Sequence, residues 1–599
     1  MSALTDALFF NLQQDLEGHL DAYQVSKLGE DVPMWPDITQ RQYAAVSLAR
    51  SLFKKYNDSD RPSREASKSA LTKFISCNDS NAAYQVQCES ILDEELINDV
   101  SDELHRFWYI DGCSPLVSTF NQLYERGKLG KGSNRAARGH DLYTKVYDSP
   151  LSHSSETLSF LWQRLSASDP RHLLAEQMRC SRYGFKKVEG NSLSFVNKNV
   201  TIARGICTEP TINMWFQLGM AAFLTDRLWT RYGIDLSIQP EVNRAMARIG
   251  SVTGRFATID LESASDLISI ELCKRLLPRS MLGMLMTIRS PATRLPSEFG
   301  GGVAELHSIS TMGNGFTFPL MTAIFCAVVA VVYRRLGYPL ERGGSKVRTF
   351  SVFGDDIIIH PGAARLLYKT LALMGFKVNV DKSHVEGAFR ESCGADFYLG
   401  FPVRGVYIKR LKTVQDHVVA INGLNHWSAT TKVNLPHTVG CLLRSASKLG
   451  HVLRVPADEN DDSGVHVPLD MARGVKHSKH GLIRYQRYLP RCRYLSIDTE
   501  AEVITVTGNA QPRSYNPHGL WLAFLHGTLR SGRVRGKMEP RISLQAKGAV
   551  TYLTRPRVSA SWDALAPHVI DDDWGFLPRF YDWRRWSDAA RTNLLGPSE

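Results

Sequence analysis

No CxxC pair occurs among the 10 cysteines. A cysteine-based structural zinc site needs that spacing, and scattered thiols also argue against a disulfide framework. A reducing cytoplasm is therefore the expected compartment. No basic n-region opens the segment Met1-Ser2-Ala3-Leu4-Thr5-Asp6, so no secretory signal is expected. No apolar run reaches bilayer length. The most apolar one, Pro319 to Tyr333, is too short to span and reads as a buried helix. Internal repeats and low-complexity segments are lacking as well, which excludes solenoid and fibrous classes. Gly127-Lys128-Leu129-Gly130-Lys131-Gly132-Ser133 has the look of a phosphate loop but lacks the Lys after its final Gly that a Walker loop needs, so the expectation is a flexible basic loop, still able to touch phosphates.

What is present is length and a modest excess of positive charge. The 599 residues are enough for several subdomains. The 72 basic and 60 acidic residues leave a net charge of +12, which suits a polyanion held in a groove better than a basic tail. Residues 1–125 read as helical. Residues 191–210 alternate short strand-like runs with cations, and 213–231 read as an amphipathic helix. Strand–helix alternation is strongest over 251–400 and fades beyond 412. Asp458-Glu459-Asn460-Asp461-Asp462-Ser463-Gly464 reads as an acidic surface loop.

The chemistry concentrates at Phe353-Gly354-Asp355-Asp356-Ile357. β-Branched and aromatic runs flank a Gly-Asp break, the pattern of a β-hairpin. Adjacent strand residues face opposite ways, so one carboxylate can enter a site while the other flanks it. Two adjacent ionised carboxylates repel, and a divalent cation would remove that cost; an ordinary acidic turn is the other reading. Arg255-Phe256-Ala257-Thr258-Ile259-Asp260-Leu261 reads as a strand ending in an acid. Asp260 is either a helix N-cap before Glu262 and Ser263 or a carboxylate aimed into a cleft beside Asp355. In the second case the carboxylates could hold two divalent cations roughly 3.5–4 Å apart for in-line phosphoryl transfer. Mg²⁺ fits such hard oxygen donors.

Three further elements surround this pair. Ser308 to Thr317 is a Gly- and hydroxyl-rich loop entering the apolar helix, which either caps that helix or offers N–H groups to an anion or sugar. Lys198 and Arg204 lie on the strand-rich ribbon, either on a solvated face or clamping a triphosphate. Met374-Gly375-Phe376-Lys377 leads to Lys382, a surface lysine or a proton donor to departing pyrophosphate.

Each element alone is ambiguous, but their order resembles the palm motifs of viral RNA-dependent RNA polymerases. The blocks Gly250-Ser251-Val252-Thr253, Asp260-Leu261-Glu262-Ser263-Ala264-Ser265-Asp266, Ser310-Thr311-Met312-Gly313-Asn314-Gly315 and Phe389-Arg390-Glu391-Ser392-Cys393-Gly394 are similar to the replicase catalytic subunits of single-stranded RNA bacteriophages, of the Qβ type. Glu209-Pro210 and Phe216-Gln217-Leu218-Gly219 also match, and the strong resemblance spans roughly 196–411. It implies an α+β right-hand polymerase (fingers, palm, thumb) whose antiparallel palm sheet is flanked by helices. Its parts would be an N-terminal region with part of the fingers at 1–190, fingers with the basic ribbon at 191–245, palm at 246–400, and thumb with the C-terminal region at 401–599.

The resemblance also implies roles. Asp260, Asp355 and Asp356, with the Leu261 carbonyl, would carry two Mg²⁺ ions, for which Mn²⁺ can substitute. Lys198 and Arg204 would hold the incoming NTP. Asp266, Gly313, Asn314 and Thr317 would sense the ribose 2′-hydroxyl, and Lys382 would act as the pyrophosphate acid. Residues 389–400 would form a primer-grip hairpin, with Arg390 on RNA. Implied partners are template and product RNA, NTPs, host elongation factors Tu and Ts and a ribosomal small-subunit protein, in the cytoplasm of an infected bacterium. This chain departs from the family pattern at Thr201, Ser265, Met312, Met321 and Phe353. A reverse transcriptase shares the palm carboxylates and is the nearest rival; a non-catalytic RNA-binding scaffold is the rival from another class.

Outside these blocks, Arg484-Tyr485-Gln486-Arg487-Tyr488 and Arg491-Cys492-Arg493-Tyr494 interleave cations with aromatics. Arg484 and Arg487 are RNA-contact candidates there, and a thumb face packing on itself is the alternative. Trp574, Trp583 and Trp586 form either core or a stacking platform. His477-Ser478-Lys479-His480 lacks the ligands for zinc.

Overall fold

The computed structural model describes residues 3–28, 34–35, 37–57, 59, 61–130, 132–139, 142–147, 149–168, 170–199, 201–340, 348–491, 494–498, 504–507, 541–545, 551–563 and 583–596. Helices and short, mostly antiparallel sheets alternate along it, an α+β arrangement. Cys492, Arg493 and Trp574 lie outside the described residues.

The apolar run forms the helix Thr317–Leu336, 20 residues long. It exceeds the length expected from sequence and could cross a membrane by length and composition, but 89% of its most apolar window is buried inside the protein. A helix apolar on every side needs neighbours on every side. The larger core supplies them, drawing on residues between Leu96 and Phe376. Near the helix end, Tyr333 donates its hydroxyl to the Thr349 carbonyl at 2.7 Å and accepts from the His360 N–H at 2.7 Å. These bonds tie the helix to both ends of the Gly354 hairpin.

That hairpin pairs Ser351–Phe353 with Asp356–Ile359, and the strand Ala257–Ile259 adds antiparallel to the latter. On its other side Thr258 exchanges backbone hydrogen bonds with His384 at 3.1 and 2.7 Å. Ala257–Ile259 is thus an interior strand. Ile357 and Ile359 enter the larger core, while Ile358 joins a small cluster with Met246, Ala247 and Phe397. Burial on both faces explains why these strands read as continuous β-branched runs rather than alternating ones.

Two more sheets frame this one. Asn191–Asn197 and Ala203–Thr208 form an antiparallel hairpin, extended by Ala292–Arg294 and Val303–Glu305. Phe389–Ser392 and Ala395–Tyr398 form a second hairpin, joined by Phe401–Pro402. The helix Thr211–Tyr232 covers the 213–231 expectation. The sequence reading erred after Asp260: no helix begins there. Leu261–Glu262 pairs with Lys377–Val378, and the next helix, Ile270–Leu276, is capped by Ser269.

A second core joins the two ends of the chain. Residues 8–52 pack against 403–485 and Trp562. Asp15, only 9% exposed, caps the helix Pro436–Leu449: its carboxylate accepts from the N–H groups of His437 (2.9 Å) and Thr438 (2.8 Å) and from the Thr438 hydroxyl (2.6 Å). The helices within residues 8–52 therefore pack with residues 403–485. Replacing Asp15 by Ala removes a helix cap and strands buried donors, so we expect a loss of about 2 kcal/mol. Urea unfolding followed by tryptophan fluorescence measures it, and wild-type stability would refute the cap.

Candidate active site

The two-residue turn Gly354-Asp355 closes the central hairpin. Gly354 has φ 63°, and a Cβ there would meet the Phe318 ring at 2.5 Å. Its N–H donates to Thr322 Oγ1 at 3.1 Å, and Phe318 packs edge-on against Phe353 at 4.7 Å. Glycine is needed here both for the positive φ and for close approach to the helix. Asp355 sits in the turn itself, while Asp356 opens the next strand. Turn against strand, rather than two faces of one strand, separates the two carboxylates.

Register brings in the third acid. Ile259 pairs with Ile357, so one step further sets Asp260 opposite Asp356. Asn379 Nδ2 donates to Asp260 Oδ2 at 2.9 Å, and Lys382 Nζ stands 3.7 Å from the same oxygen. Burial raises the Asp260 carboxyl above its usual range; Lys382 opposes the shift and Asp355 adds to it. Asp356 accepts weakly from Ser392 Oγ (3.3 Å) and the Cys393 N–H (3.4 Å) at the tip of the second hairpin. Burial, then repulsion from Asp355, pushes Asp356 up to about 6. Asp260 and Asp356, each raised by burial and by neighbouring carboxylates, stand with Asp355 as a hard all-oxygen donor set, and that chemistry fits Mg²⁺.

Cations face this triad. Lys198 and Arg204 lie at opposite ends of the Asn197–Ala203 connection. Burial lowers the Lys198 pKa, Lys382 and Arg204 lower it further, and Asp260 opposes them. Lys198 and Arg204 line a cleft of about 1010 Å³ together with Lys55, Lys409 and Arg410. Sequence reasoning missed Lys73, on the helix Arg64–Ala83. Its charge acts on both Lys198 and Asp266, so the N-terminal part of the chain reaches this site. Nothing in its local sequence marks it.

The expected ribose-sensing group is gathered but largely committed. Burial pushes Asp266 up to about 6, with Lys73 and Arg204 opposing. Gly313 has φ 123°, and a Cβ there would meet the Cys207 carbonyl oxygen at 2.0 Å. Asn314 Oδ1 accepts from the Phe316 N–H, and Thr317 donates to the Thr311 carbonyl. Both side chains are thus spent on hydrogen bonds within the loop that enters the helix, and neither caps it. Glu209, fully buried, anchors the loop from behind. It accepts from Ser290 (2.6 Å), Asn191 (2.9 Å) and Gln217 (3.0 Å), and Gln217 in turn accepts from the Gly315 N–H at 3.1 Å.

One expected RNA contact needs correction, and another is partly engaged within the protein. Arg390 is completely buried, and its guanidinium donates to the carbonyls of Phe256, Val385, Glu386, Gly387 and Phe389, so it has no face to offer a phosphate. Arg487 is paired with Glu459 at 2.8 Å. Glu459 is itself 6% exposed, bound also by Tyr485 and Arg557, so the acidic loop is not wholly a surface loop. Arg484 is exposed. Trp586 is buried, as the core reading had it. The glycine-rich loop is pinned by buried Lys145, which donates to the Gly130 and Gly132 carbonyls.

Fold and site together define a protein with a cation-lined cleft, one of whose lysines, Lys198, lies within electrostatic reach of the carboxylate cluster. The chain belongs to the RNA replicase, beta-chain family, whose sequence profile matches residues 11–504. It is 41% identical over 239 residues to the RNA-directed RNA polymerase subunit beta of Escherichia virus Qbeta, covering 40% of this chain and 38% of that one. It is 38% identical over 268 residues to the beta chain of Escherichia phage MS2, covering 45% and 47%. The matches thus span less than half the length of these relatives. Among solved structures, the RNA-dependent RNA polymerase of a human picorbirnavirus aligns over 63% of this chain and 74% of that one, with a TM-score of 0.39 and 11% identity.

Proposed function

We propose that this chain is the catalytic subunit of an RNA-directed RNA polymerase, copying phage RNA by adding NTPs to an RNA 3′-hydroxyl with release of pyrophosphate. The observation that carries the proposal is the convergence of Asp260, Asp355 and Asp356 from a central strand and a tight turn, faced by Lys198, Arg204 and Lys382. In this reading residues 246–400 are the palm, 191–245 the basic part of the fingers and 401–599 the thumb and C-terminal region. Residues 8–52 are assigned to the thumb side.

Asp260, Asp355 and Asp356, with the Leu261 carbonyl, would hold the divalent ions. When bound, such ions polarise the α-phosphate and lower the pKa of the attacking hydroxyl. Lys198 and Arg204 grip the triphosphate, and Lys73 extends that grip from the N-terminal side. Lys382, half-exposed beside Asp260, gives a proton to the departing pyrophosphate. Asp266 and the Gly313 backbone border the ribose. Lys55, Lys409 and Arg410 line the cleft as phosphate contacts, and Arg484 adds an outer one. Elongation factors Tu and Ts, a ribosomal small-subunit protein and the cytoplasm of an infected bacterium complete the proposal on the strength of the family.

Incorporation of labelled ribonucleotides by the purified chain with its host proteins tests this reading. Incorporation that requires added RNA and stops on chelation supports it; none under any divalent cation refutes it. A pH prediction follows from Asp356. As pH falls through about 6 this carboxylate takes up a proton and loses its capacity as a ligand. Divalent-cation affinity should therefore be roughly tenfold weaker at pH 5 than at pH 7. Mn²⁺ titration followed by electron paramagnetic resonance measures this, and equal affinity at both pH values would remove Asp356 from the ligand set.

A further inference from the structure

A second cluster of ligand-type side chains lies away from the carboxylate triad. His426 stands on the helix Val414–Thr431, Asp461 in the acidic loop and His466 on the short strand Val465–His466. Their nearest ligand atoms all lie within 4.8 Å of one another. The two imidazoles are 6.0 Å apart, centre to centre.

The backbone that carries them is fixed in advance. Asn422, buried and one turn before His426, donates to the Asp461 carbonyl at 3.0 Å and the Gly464 carbonyl at 2.9 Å, and accepts from the His466 N–H at 2.9 Å. One side chain thus joins all three carriers: helix, loop and strand. The start of the loop is held by Glu459 on Arg487, Arg557 and Tyr485. Asp462 accepts from the Tyr552 hydroxyl at 2.9 Å. Asp461, exposed, is free to adjust its carboxylate without disturbing that frame.

His466 supplies an independent observation. It is 2% exposed. Burial holds its imidazole below the usual pKa, with Asp461 and the Asn460 and Glu459 backbone opposing, and neither ring nitrogen makes a well-aligned hydrogen bond. Buried polar atoms nearly always find a partner, and one left without is costly. A metal ion between His466, His426 and Asp461 would satisfy it. Ligands around a tetrahedral zinc stand roughly 3.3 Å apart, so small side-chain rotations would close the set.

We propose that His426, Asp461 and His466 bind a transition-metal ion of the Zn²⁺ type, which clamps the 458–464 loop to the Val414–Thr431 helix at the wall of the cleft. Two imidazoles and one carboxylate select a borderline metal rather than Mg²⁺. Asp461 also lines the cleft, which gives an ion access to the site. The site differs in chemistry from the all-oxygen triad and stands whether or not the chain is a polymerase.

The test uses the full chain, purified without a histidine tag, stripped with chelator and loaded with Zn²⁺ or Co²⁺. Wild type should hold one Zn²⁺ per chain through dialysis, and the Co²⁺ form should show visible d–d absorption of a four-coordinate ion. Asp461→Asn, at an exposed position that tolerates the change, and His426→Gln should lose both, whereas Asp355→Asn should keep both. Added Zn²⁺ should raise the unfolding temperature of wild type but not of Asp461→Asn. Wild type that retains no ion, or an Asp461→Asn chain that binds Zn²⁺ as wild type does, overturns the proposal.

Discussion

Asp355→Asn is expected to lower nucleotide addition by about 10³-fold or more, equivalent to about 4 kcal/mol of transition-state stabilisation. The substitution keeps size and shape at a half-buried turn position, so the hairpin and its contact with Phe318 and Thr322 should persist. What is lost is one charge of three that face each other. Asp260 and Asp356 are both raised in pKa partly by Asp355, and both should fall toward the usual carboxylate range when it is neutralised. RNA affinity should stay within about twofold, because the phosphate-facing cations lie elsewhere in the cleft. Single-turnover extension and filter binding on the same preparation separate the two effects. Near-normal extension would remove Asp355 from the reaction, and parallel loss of binding and extension would reassign it to RNA.

Arg390→Ala should cost about 4 kcal/mol or more of stability and leave no active enzyme. The guanidinium is fully buried and bonds five carbonyls, at 2.6 Å to Phe256, 2.7 Å to Phe389, 2.8 Å to Gly387, 3.0 Å to Val385 and 3.1 Å to Glu386. Phe256 immediately precedes the strand that ends in Asp260, and Phe389 begins the hairpin that touches Asp356. Removing the fork strands buried acceptors at the point where those two elements meet. Arg390→Lys should rescue little, since one ammonium cannot reproduce a planar fork with five donors. Soluble yield and thermal unfolding report the effect. A variant that unfolds like wild type but binds RNA weakly would restore the RNA-contact role expected from sequence.

The parts of the site visible in the sequence are those set by local pairing. The Gly354 hairpin is written in a few residues by β-branched runs around a Gly turn, and the Asn197–Ala203 ribbon in a similar window. Asp260 was legible because a strand ending in an acid is also a local pattern. The sequence reading sets this strand beside the Gly354 hairpin with Asp260 next to Asp355; the strand does pair there, and its register sets Asp260 opposite Asp356.

What the sequence concealed depends on contacts between distant residues. Asp15 caps a helix that starts more than 400 residues later, and no local pattern distinguishes it from a surface acid. Arg390 sits among exposed-looking neighbours, and only the closing of residues 385–389 and Phe256 around it makes it structural. Lys73 lies in a helix with no distinctive motif. His426 and His466 are 40 positions apart, on a helix and a strand joined through Asn422. The acidic loop looked like solvated surface because charge density, not partnership, is what a sequence displays; Glu459 turned out to be buried among two arginines and a tyrosine.

The most direct measurement is addition of a single nucleotide to a labelled RNA on a template with a defined next base. Wild type, with Mg²⁺ and one NTP at a time, should extend the strand only with the ribonucleotide complementary to that base, and should reject the matching deoxyribonucleotide. Extension that ignores the template base, or that accepts the deoxyribonucleotide equally, would contradict the assignment of this carboxylate site to RNA-templated RNA synthesis.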